Sequence, residues 1–405
     1  MRAVTRSRPC VGTFEGIQKG HTPRHQDTNL GRQRVMSETV VVGGGAVGCA
    51  VARALALEGV VVHLFEEGRP GRKATWAGAG MLSPLGEALD EGPLLDLALR
   101  SLRMYPQFVQ ALEEETGLRL GYRASGKVLV GFDEGEESAL RTRAAWGRRH
   151  GFGTEWISAG ELRTRIPGIS EKVRGGLLIP EDHQVENRTL GPALWSAAER
   201  AGATMEMERT VSELVCESGR VVGVRLDDGI LRHAERVVVA AGAWSGRVPG
   251  VPVSVPVRPV RGQIVALRPD ACATPLMAAS SKVYLVPRED GRLLVGATME
   301  EVGFDERVTA EGVLGMLQGA LELLPSLGTA AIEEVWAGLR PATPDGLPVL
   351  GPDPEVNDLF YATGHFRNGI LLAPVTGNLL RDLILGRTPS TPARPFLPDR
   401  FRERT

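Results

Sequence analysis

The chain has 405 residues, of which 42% are apolar and 24% are charged, proportions that are ordinary for a soluble globular protein large enough for two domains. The formal net charge of −2 gives no electrostatic reason to expect a nucleic acid or an anionic membrane as a partner. No apolar run approaches the ~20 residues that a membrane-spanning helix needs. We therefore expect neither a nucleic acid nor a membrane as a partner.

The cysteines argue against a bound metal and against a disulfide framework. The four of them, Cys10, Cys49, Cys216 and Cys272, show no CxxC spacing and no clustering with histidine. This pattern excludes the usual zinc signatures, and disulfide frameworks are typical of much shorter secreted chains. We therefore predict no metal site and a reducing, cytoplasmic setting.

The first 36 residues differ from the rest of the chain. They carry seven basic residues against Glu15 and Asp27, and they show neither helical nor strand periodicity. They lack the apolar core of a secretory signal, and glycine and proline interrupt the amphipathic helix that an organelle transit peptide, the alternative, requires. We predict that residues 1–36 are a disordered tail or an upstream-start extension, with Met36 as the natural first residue.

Residues 39–66 show the order strand, glycine turn, helix, strand. Thr39–Val42 is a β-branched run, Ala46–Glu58 has alanine and leucine at helical spacing, and Val60–Phe65 is a second apolar run. This order predicts a βαβ unit, and such a unit implies a parallel sheet.

The turn of this unit, residues 43–48, fits the pattern GxGxxG. Gly43 allows the chain to turn sharply out of the strand, Gly45 lets the main chain approach a pyrophosphate, and Gly48 lets the helix pack closely on the sheet. The pyrophosphate then lies at the helix N-terminus, where free N–H groups favour its charge.

A carboxylate follows at the spacing that a ribose requires. Glu66 lies 18 residues beyond Gly48, and a carboxylate there accepts hydrogen bonds from ribose hydroxyls and repels a 2′-phosphate. Glu67 is adjacent, but the alternation of the strand favours Glu66. These residues predict a dinucleotide with a free 2′-hydroxyl, and they leave NAD and FAD open.

Later segments alternate between helical and strand patterns. We predict helices over 91–117, 190–201 and 311–324, and strands over 127–132, 220–226, 236–240, 262–267, 283–286 and 292–296. Glycine turns and a helix return over 359–385. Dinucleotide-type features thus lie at both ends of the chain, around a middle richer in antiparallel-looking strands.

The predicted fold class is therefore α/β and α+β, with a Rossmann-like dinucleotide-binding domain interleaved with an antiparallel-sheet substrate domain. The discontinuous dinucleotide-binding domain is expected to comprise residues 37–90, 176–250 and 330–405. The substrate domain is expected to comprise residues 91–175 and 251–329.

Three segments carry a resemblance to a known family: AGAGMLSP at 77–84, WAGLRP at 336–341 and GHFRNGILLAP at 364–374. In this order, from about Thr39 to about Asp399, the chain resembles the FAD-dependent glycine oxidases of thiamine biosynthesis, in the D-amino-acid oxidase superfamily. The third segment is specific, whereas many flavoproteins share the glycine motif. The resemblance implies that the dinucleotide is FAD.

The chemistry of these segments agrees with a flavin. The small residues of Trp76–Met81 let the main chain approach the flavin ring, which larger side chains would obstruct. The turn from Gly364 to Gly369 offers successive N–H groups for negative charge at the N1/O2 edge of reduced flavin. The resemblance places these residues at FAD-contacting positions, in addition to Gly43, Gly45 and Gly48: Ala46, Val47, Glu66, Glu67, Ala74, Thr75, Ala79, Gly80, Met81, Val211, His365, Phe366, Arg367, Asn368, Gly369, Ile370 and Leu371.

The resemblance also implies a site for an amino-acid substrate. Arg340 aligns with the arginine that binds the substrate carboxylate, for which a planar guanidinium is well suited. Arg367 aligns with a second arginine near substrate and flavin, Tyr284 with a tyrosine of the substrate pocket, and Met81 covers one side. No side chain is expected to act as acid or base, because a hydride passes from Cα to flavin N5, and His365 is interpreted as a residue of the cofactor loop.

The implied reaction oxidises glycine, sarcosine or small D-amino acids. It yields an imine, then glyoxylate and ammonia, and O2 reoxidises the flavin to give hydrogen peroxide; the glycine imine would feed the thiazole of thiamine. We expect non-covalent FAD, because no cysteine follows Cys272 as a tether. The resemblance also implies thiazole synthase as a functional partner, and the family suggests a homo-oligomer, namely a tetramer.

Three alternatives remain at this point. One is a D-amino-acid dehydrogenase that passes electrons to quinone, and another is a flavin oxidase of a modified tRNA base, against which the absence of a basic stripe argues. The third is a flavoprotein without enzymatic activity, in which Arg340 and Arg367 are structural.

Overall fold

The computed structural model describes residues 38–87, 91–252 and 255–402. The predicted tail of residues 1–36, with the expected first residue Met36, lies outside the described residues. Of the helices that the structure describes, none is both long enough and apolar enough to cross a membrane.

The elements follow in chain order. The strands are β1 (Glu38–Val42), β2 (Val61–Glu66), β3 (Met81–Leu82), β4 (Lys127–Gly131), β5 (Glu155–Ser158), β6 (Gly175–Ile179), β7 (His183–Gln184), β8 (Thr204–Met207), β9 (Val211–Glu217), β10 (Arg220–Leu226), β11 (Leu231–His233), β12 (Arg236–Val239), β13 (Arg258–Arg268), β14 (Met277–Ala279), β15 (Tyr284–Pro287), β16 (Leu293–Gly296), β17 (Ala331–Ala342), β18 (Val349–Pro352) and β19 (Leu359–Thr363). The α-helices are α1 (Ala46–Ala56), α2 (Ala74–Ala77), α3 (Pro84–Glu87), α4 (Pro93–Thr116), α5 (Glu134–Arg149), α6 (Ala159–Arg165), α7 (Asn187–Arg200), α8 (Ala310–Leu323) and α9 (Gly369–Ile384). Short 3-10 helices cover Gly242–Arg247, Pro325–Thr329, Arg394–Phe396 and Pro398–Phe401.

A six-stranded sheet in the order β18-β19-β12-β1-β2-β8 forms the first layer. Its strand pairs are parallel except for β18 with β19. Valine-rich strands such as β1 alternate between two apolar faces, as a sheet covered on both sides requires. Val41 packs with helices α1, α4, α7 and α9, whereas Val40 and Val42 pack with the three-stranded sheet β11-β10-β9.

An eight-stranded sheet in the order β17-β13-β16-β15-β14-β4-β6-β5 forms the second layer. Its pairs are antiparallel except for β14 with β4. One face, which includes Val265 and Leu285, packs on helices α6 and α8. The other face, which includes Ile264 and Trp336, packs on Ala77 and Ala79, and it forms the floor of the site described below.

The mixed fold predicted from the sequence is confirmed, with a parallel sheet at the glycine turn and an antiparallel-rich sheet beside it. Helix α5 was not predicted; among its residues with described burial only Ala144 and Gly147 are buried, so it shows little apolar periodicity. Strands β6 and β17 belong to the eight-stranded sheet, although most of their residues lie in ranges assigned to the dinucleotide-binding domain. The domain boundaries themselves stay a prediction.

Candidate active site

A cavity of about 740 Å³ is lined by residues of both large sheets. One part of its wall comes from the segments that follow β1, β2, β12 and β19, at the carboxyl ends of these parallel strands. Ligands of open α/β sheets bind at this edge. The other part comes from the inner face of the eight-stranded sheet, so the cavity joins the predicted cofactor region to the predicted substrate strands.

The glycine turn between β1 and α1 has a separate structural reason for each motif glycine. Gly43 has φ 108°, and a Cβ there would lie 2.6 Å from the carbonyl oxygen of Ala240. A Cβ on Gly48 would overlap with the carbonyl oxygen of Gly43. Gly45 is different, because its Cβ would meet only the Thr75 hydroxyl, at 3.6 Å. Its main chain therefore borders open cavity, as the approach of a pyrophosphate requires.

Glu66 lies at the end of β2, where the sequence predicted the ribose carboxylate. It is 9% exposed, whereas Glu67 is exposed, and both line the cavity. Its oxygens accept hydrogen bonds from the N–H groups of Gly44 (2.7 Å) and Gly68 (3.0 Å). Burial raises the pKa of this carboxyl above its usual value, and the two N–H donors oppose that rise. A carboxylate has about four acceptor positions, so acceptor capacity remains for a ribose.

The turn between β19 and α9 lies at the same edge of the sheet and also lines the cavity. Phe366 has φ 49°, and its N–H group donates to the carbonyl oxygen of Pro341 (2.8 Å). His365 is 3% exposed, its Nε2 contacts the Thr376 hydroxyl (3.1 Å), and burial lowers its pKa to about 3. The imidazole is therefore neutral near pH 7. Asn368 precedes α9, whose first N–H groups have no acceptor within the helix, and Asn368, Gly369 and Ile370 line the cavity.

The floor of the cavity carries Tyr284 and Arg340, both half-buried. Two glycines make room for them, because a Cβ on Gly296 would overlap with the Tyr284 ring and a Cβ on Gly262 with the Arg340 guanidinium. Arg340 Nη1 donates to the carbonyl oxygen of Thr298 (3.1 Å), at the start of the loop after β16. The guanidinium thus has a fixed position above the sheet, as recognition of a carboxylate requires.

The structure brings nearly all of the predicted site residues to one cavity. Met81 and the exposed Arg367 line it, together with these predicted residues: Gly43, Gly45, Ala46, Val47, Glu66, Glu67, Ala74, Thr75, Ala79, Gly80, Val211, Tyr284, Arg340, His365, Phe366, Asn368, Gly369 and Ile370. Gly48 and Leu371 are not among its lining residues. Gly48 acts through the packing described above, and Leu371 is buried in the core beside α4. Their roles toward a ligand stay predictions.

Sequence reasoning missed a set of contacts made by a loop beside the cavity. The loop after β16 lines the cavity with Met299, and its Phe304 ring packs against Trp244 (5.6 Å between centroids) and under the Arg247 guanidinium (3.6 Å). Lys73 pairs with Glu306 of the same loop (3.2 Å). This loop therefore joins the eight-stranded sheet to the segments that follow β2 and β12. No motif signals it, because the partners lie far apart in the chain.

The charge of the cavity suits an anionic ligand. Its described lining holds the carboxylates Glu66 and Glu67 and eight basic side chains, namely Arg72, Lys73, Lys127, Arg209, Arg247, Lys282, Arg340 and Arg367. FAD fits this lining on three counts: the Gly45 main chain borders open space, two helix N-termini meet there, and Glu66 lies at the end of β2. The cavity volume lies within the ~300–1,000 Å³ range of cofactor sites.

Residues 38–383 match the family model described as FAD dependent oxidoreductase, DAO. The chain belongs to this family. FAD is therefore the cofactor, and the dinucleotide that the glycine motif left open is settled. Membership of the DAO family also agrees with a single cavity that joins the cofactor region to the substrate strands, because a flavin enzyme must place its cofactor and its substrate side by side.

The curated relatives are of two kinds: proteins that this chain covers over nearly their whole length, and longer proteins of which it covers about half. The glycine oxidase of Geobacillus kaustophilus is 37% identical over 363 residues, which are 89% of this chain and 96% of that protein. A crystal structure of glycine oxidase from the same organism has a TM-score of 0.85 at 36% identity and covers 89% of this chain and 98% of that one. The bifunctional protein ThiO/ThiG of Nostoc sp. is 39% identical over 353 residues, 86% of this chain but 52% of that protein. The chain thus spans about half the length of this relative.

Proposed function

We propose that the protein is an FAD-dependent oxidase of small amino acids, with glycine as the first candidate substrate. The observation that carries the proposal is the placement of Arg340 and Tyr284 on the floor of the cavity that holds the glycine turn. A guanidinium there suits the carboxylate of an amino acid. Relatives named glycine oxidase, similar over nearly their whole length, support it.

The chain's own residues would orient the substrate rather than exchange protons with it. Arg340 is proposed to hold the carboxylate, while Tyr284 and Met81 enclose the Cα side of the amino acid. When bound, FAD supplies a hydride acceptor for Cα and a route to O2, so glycine yields an imine, then glyoxylate and ammonia, with hydrogen peroxide. His365 is neutral because burial lowers its pKa to about 3, and its ring contacts Thr376. Anchoring and orientation are the proposed contribution to rate.

The decisive assay uses the purified yellow protein. Addition of glycine or sarcosine in air should release hydrogen peroxide with matching consumption of O2, and anaerobic addition should bleach the flavin. If the flavin bleaches without consumption of oxygen, and a quinone restores its colour, the protein is a dehydrogenase and not an oxidase. A flavin that no small amino acid bleaches would leave a non-enzymatic flavoprotein or an enzyme of another substrate.

We also propose the wider setting that the sequence suggested. The ThiO/ThiG relatives, in which the half similar to this chain is joined to a second half, support a thiazole synthase as the functional partner that receives the glycine imine. Non-covalent FAD is proposed because no cysteine follows Cys272. A homo-oligomer, namely a tetramer, and a cytoplasmic setting are proposed on the resemblance and on the cysteine spacing.

A further inference from the structure

One buried side-chain amide donates hydrogen bonds to several carbonyl oxygens of residues 75–80, the segment beside the predicted flavin region. Asn187, the first residue of α7, is 1% exposed. Its Nδ2 donates to the carbonyl oxygens of Thr75 (2.8 Å), Trp76 (3.0 Å) and Gly78 (2.9 Å). One side chain thus fixes the main chain over four residues of a segment whose other side lines the cavity.

A buried guanidinium holds the next residues of the same segment. Arg288 is 7% exposed, and its Nη2 donates to the carbonyl oxygen of Ala79 and to Asn187 Oδ1, both at 2.8 Å. Its Nη1 donates to the carbonyl oxygen of Val185 (2.9 Å). Gly80 follows with φ 61°, and a Cβ there would overlap with that same Val185 oxygen. The planar fork therefore determines how closely the segment approaches the hairpin of β15 and β16.

Both ends of this network reach the predicted binding residues. Arg288 directly follows β15, which begins at Tyr284, and Ala79 lies two residues before Met81. At the other end, the Thr75 hydroxyl accepts a hydrogen bond from the Ala46 N–H group (3.0 Å), in the first turn of α1. The pair Asn187 and Arg288 therefore connects the glycine turn, the segment beside the flavin region and the substrate strand.

We infer that Asn187 and Arg288 are positioning residues, which hold residues 75–80 against the bound flavin and thereby set the spacing between Met81 and Tyr284. The inference rests on the family cofactor and, for its substrate readout, on the proposed function. Neither side chain lines the cavity, so both act through the main chain of the segment. Burial lowers the pKa of Arg288 to about 10, which leaves it protonated near pH 7.

The chemistry of the two side chains makes conservative replacements informative. Lysine keeps the charge of Arg288 but lacks the two-armed geometry that reaches Ala79 and Val185 together. Aspartate keeps the shape of Asn187 but presents an acceptor to three carbonyl oxygens. Arg292 offers a matched control, because it lies on the same hairpin and shares Glu186 with Arg288, but its other ion pair is with Asp290 and not with residues 75–80.

The experiment compares the Arg288→Lys, Asn187→Asp and Arg292→Lys holoenzymes. The first two should bind FAD at least about tenfold more weakly, shift the flavin absorption bands, and raise KM for glycine more than they lower kcat. The control should match the wild type in all three readouts. FAD affinity and the spectrum test the inference even if glycine is not the substrate.

Arg288→Lys and Asn187→Asp proteins that only melt at a lower temperature, with wild-type spectrum, FAD affinity and KM, would overturn the inference. Where these variants do not fold, Asn187→Ser decides, because it removes both N–H donors of the amide without adding a buried charge. A wild-type spectrum and wild-type FAD affinity in the serine variant would equally contradict the positioning role.

Discussion

The β1–α1 turn and the β19–α9 turn occupy equivalent positions in the six-stranded sheet. Both strands pair with β12, and both turns open a helix whose N-terminus faces the cavity. The first turn depends on residues without side chains, since a Cβ on Gly43 or Gly48 would overlap with main-chain oxygens. The second turn also begins with a glycine that leaves no room for a Cβ, Gly364, where that atom would lie 2.6 Å from Thr343. It carries larger side chains as well, with His365 packed on Thr376 and Phe366 at positive φ. A cavity wall is thus built in two ways, by close main-chain approach and by buried side chains.

The first prediction breaks the glycine turn. Gly48→Ala should weaken FAD binding by roughly 5- to 150-fold, because the added carbon overlaps with a main-chain oxygen and overpacking of this kind costs ~1–3 kcal/mol. Gly315→Ala, in α8 and outside the cavity lining, should change FAD binding by less than about threefold, since its Cβ would have nothing within 4 Å. Titration of the two apoproteins with FAD measures the contrast. Equal losses in the two variants would contradict the role of close main-chain approach in the first turn.

The second prediction separates the two arginines. Arg340→Ala should raise KM for glycine about 10- to 100-fold, because a charge-assisted pair contributes roughly 1.5–3 kcal/mol. Arg367→Ala, in the β19–α9 turn, should have a smaller effect, since Arg367 is exposed and exposed pairs contribute about 0–1 kcal/mol. Steady-state kinetics with glycine measures both. An Arg340→Ala enzyme with an unchanged KM would exclude the carboxylate role.

The third prediction concerns pH and the buried side chain of the second turn. The folded protein favours neutral His365, whose pKa of about 3 lies below its usual value of 6.5. The stabilisation from neutral His365 is complete above pH 6.5 and is lost as pH falls toward 3. The loss in the free energy of unfolding amounts to about 2 kcal/mol at pH 5. His365→Gln should therefore lose less stability than wild type between pH 7 and pH 5 in urea unfolding. Equal losses of stability in His365→Gln and in the wild type over this range would contradict the role of His365.

Local chemistry made one part of the site predictable from the sequence. Gly43, Gly48 and Glu66 follow from the geometry of a strand, a tight turn and a helix, and the structure places them as that geometry requires. The β19–α9 turn has no comparable signature, so it came from the resemblance of GHFRNGILLAP alone. Asn187 and Arg288 could not be found in this way. Their roles depend on carbonyl oxygens about 110 and 210 residues away in the chain, which no local pattern records.

The strand order of the two sheets has a consequence for synthesis of the protein. The cavity needs β1 and α1 from the beginning of the chain and β19 and α9 from its end, and the eight-stranded sheet is complete only after β17. Contacts of such high sequence separation form late in folding. A ribosome must therefore release nearly the whole chain before a complete cofactor pocket exists. FAD should bind after translation, and truncation before Leu359 should leave no flavin-binding remnant.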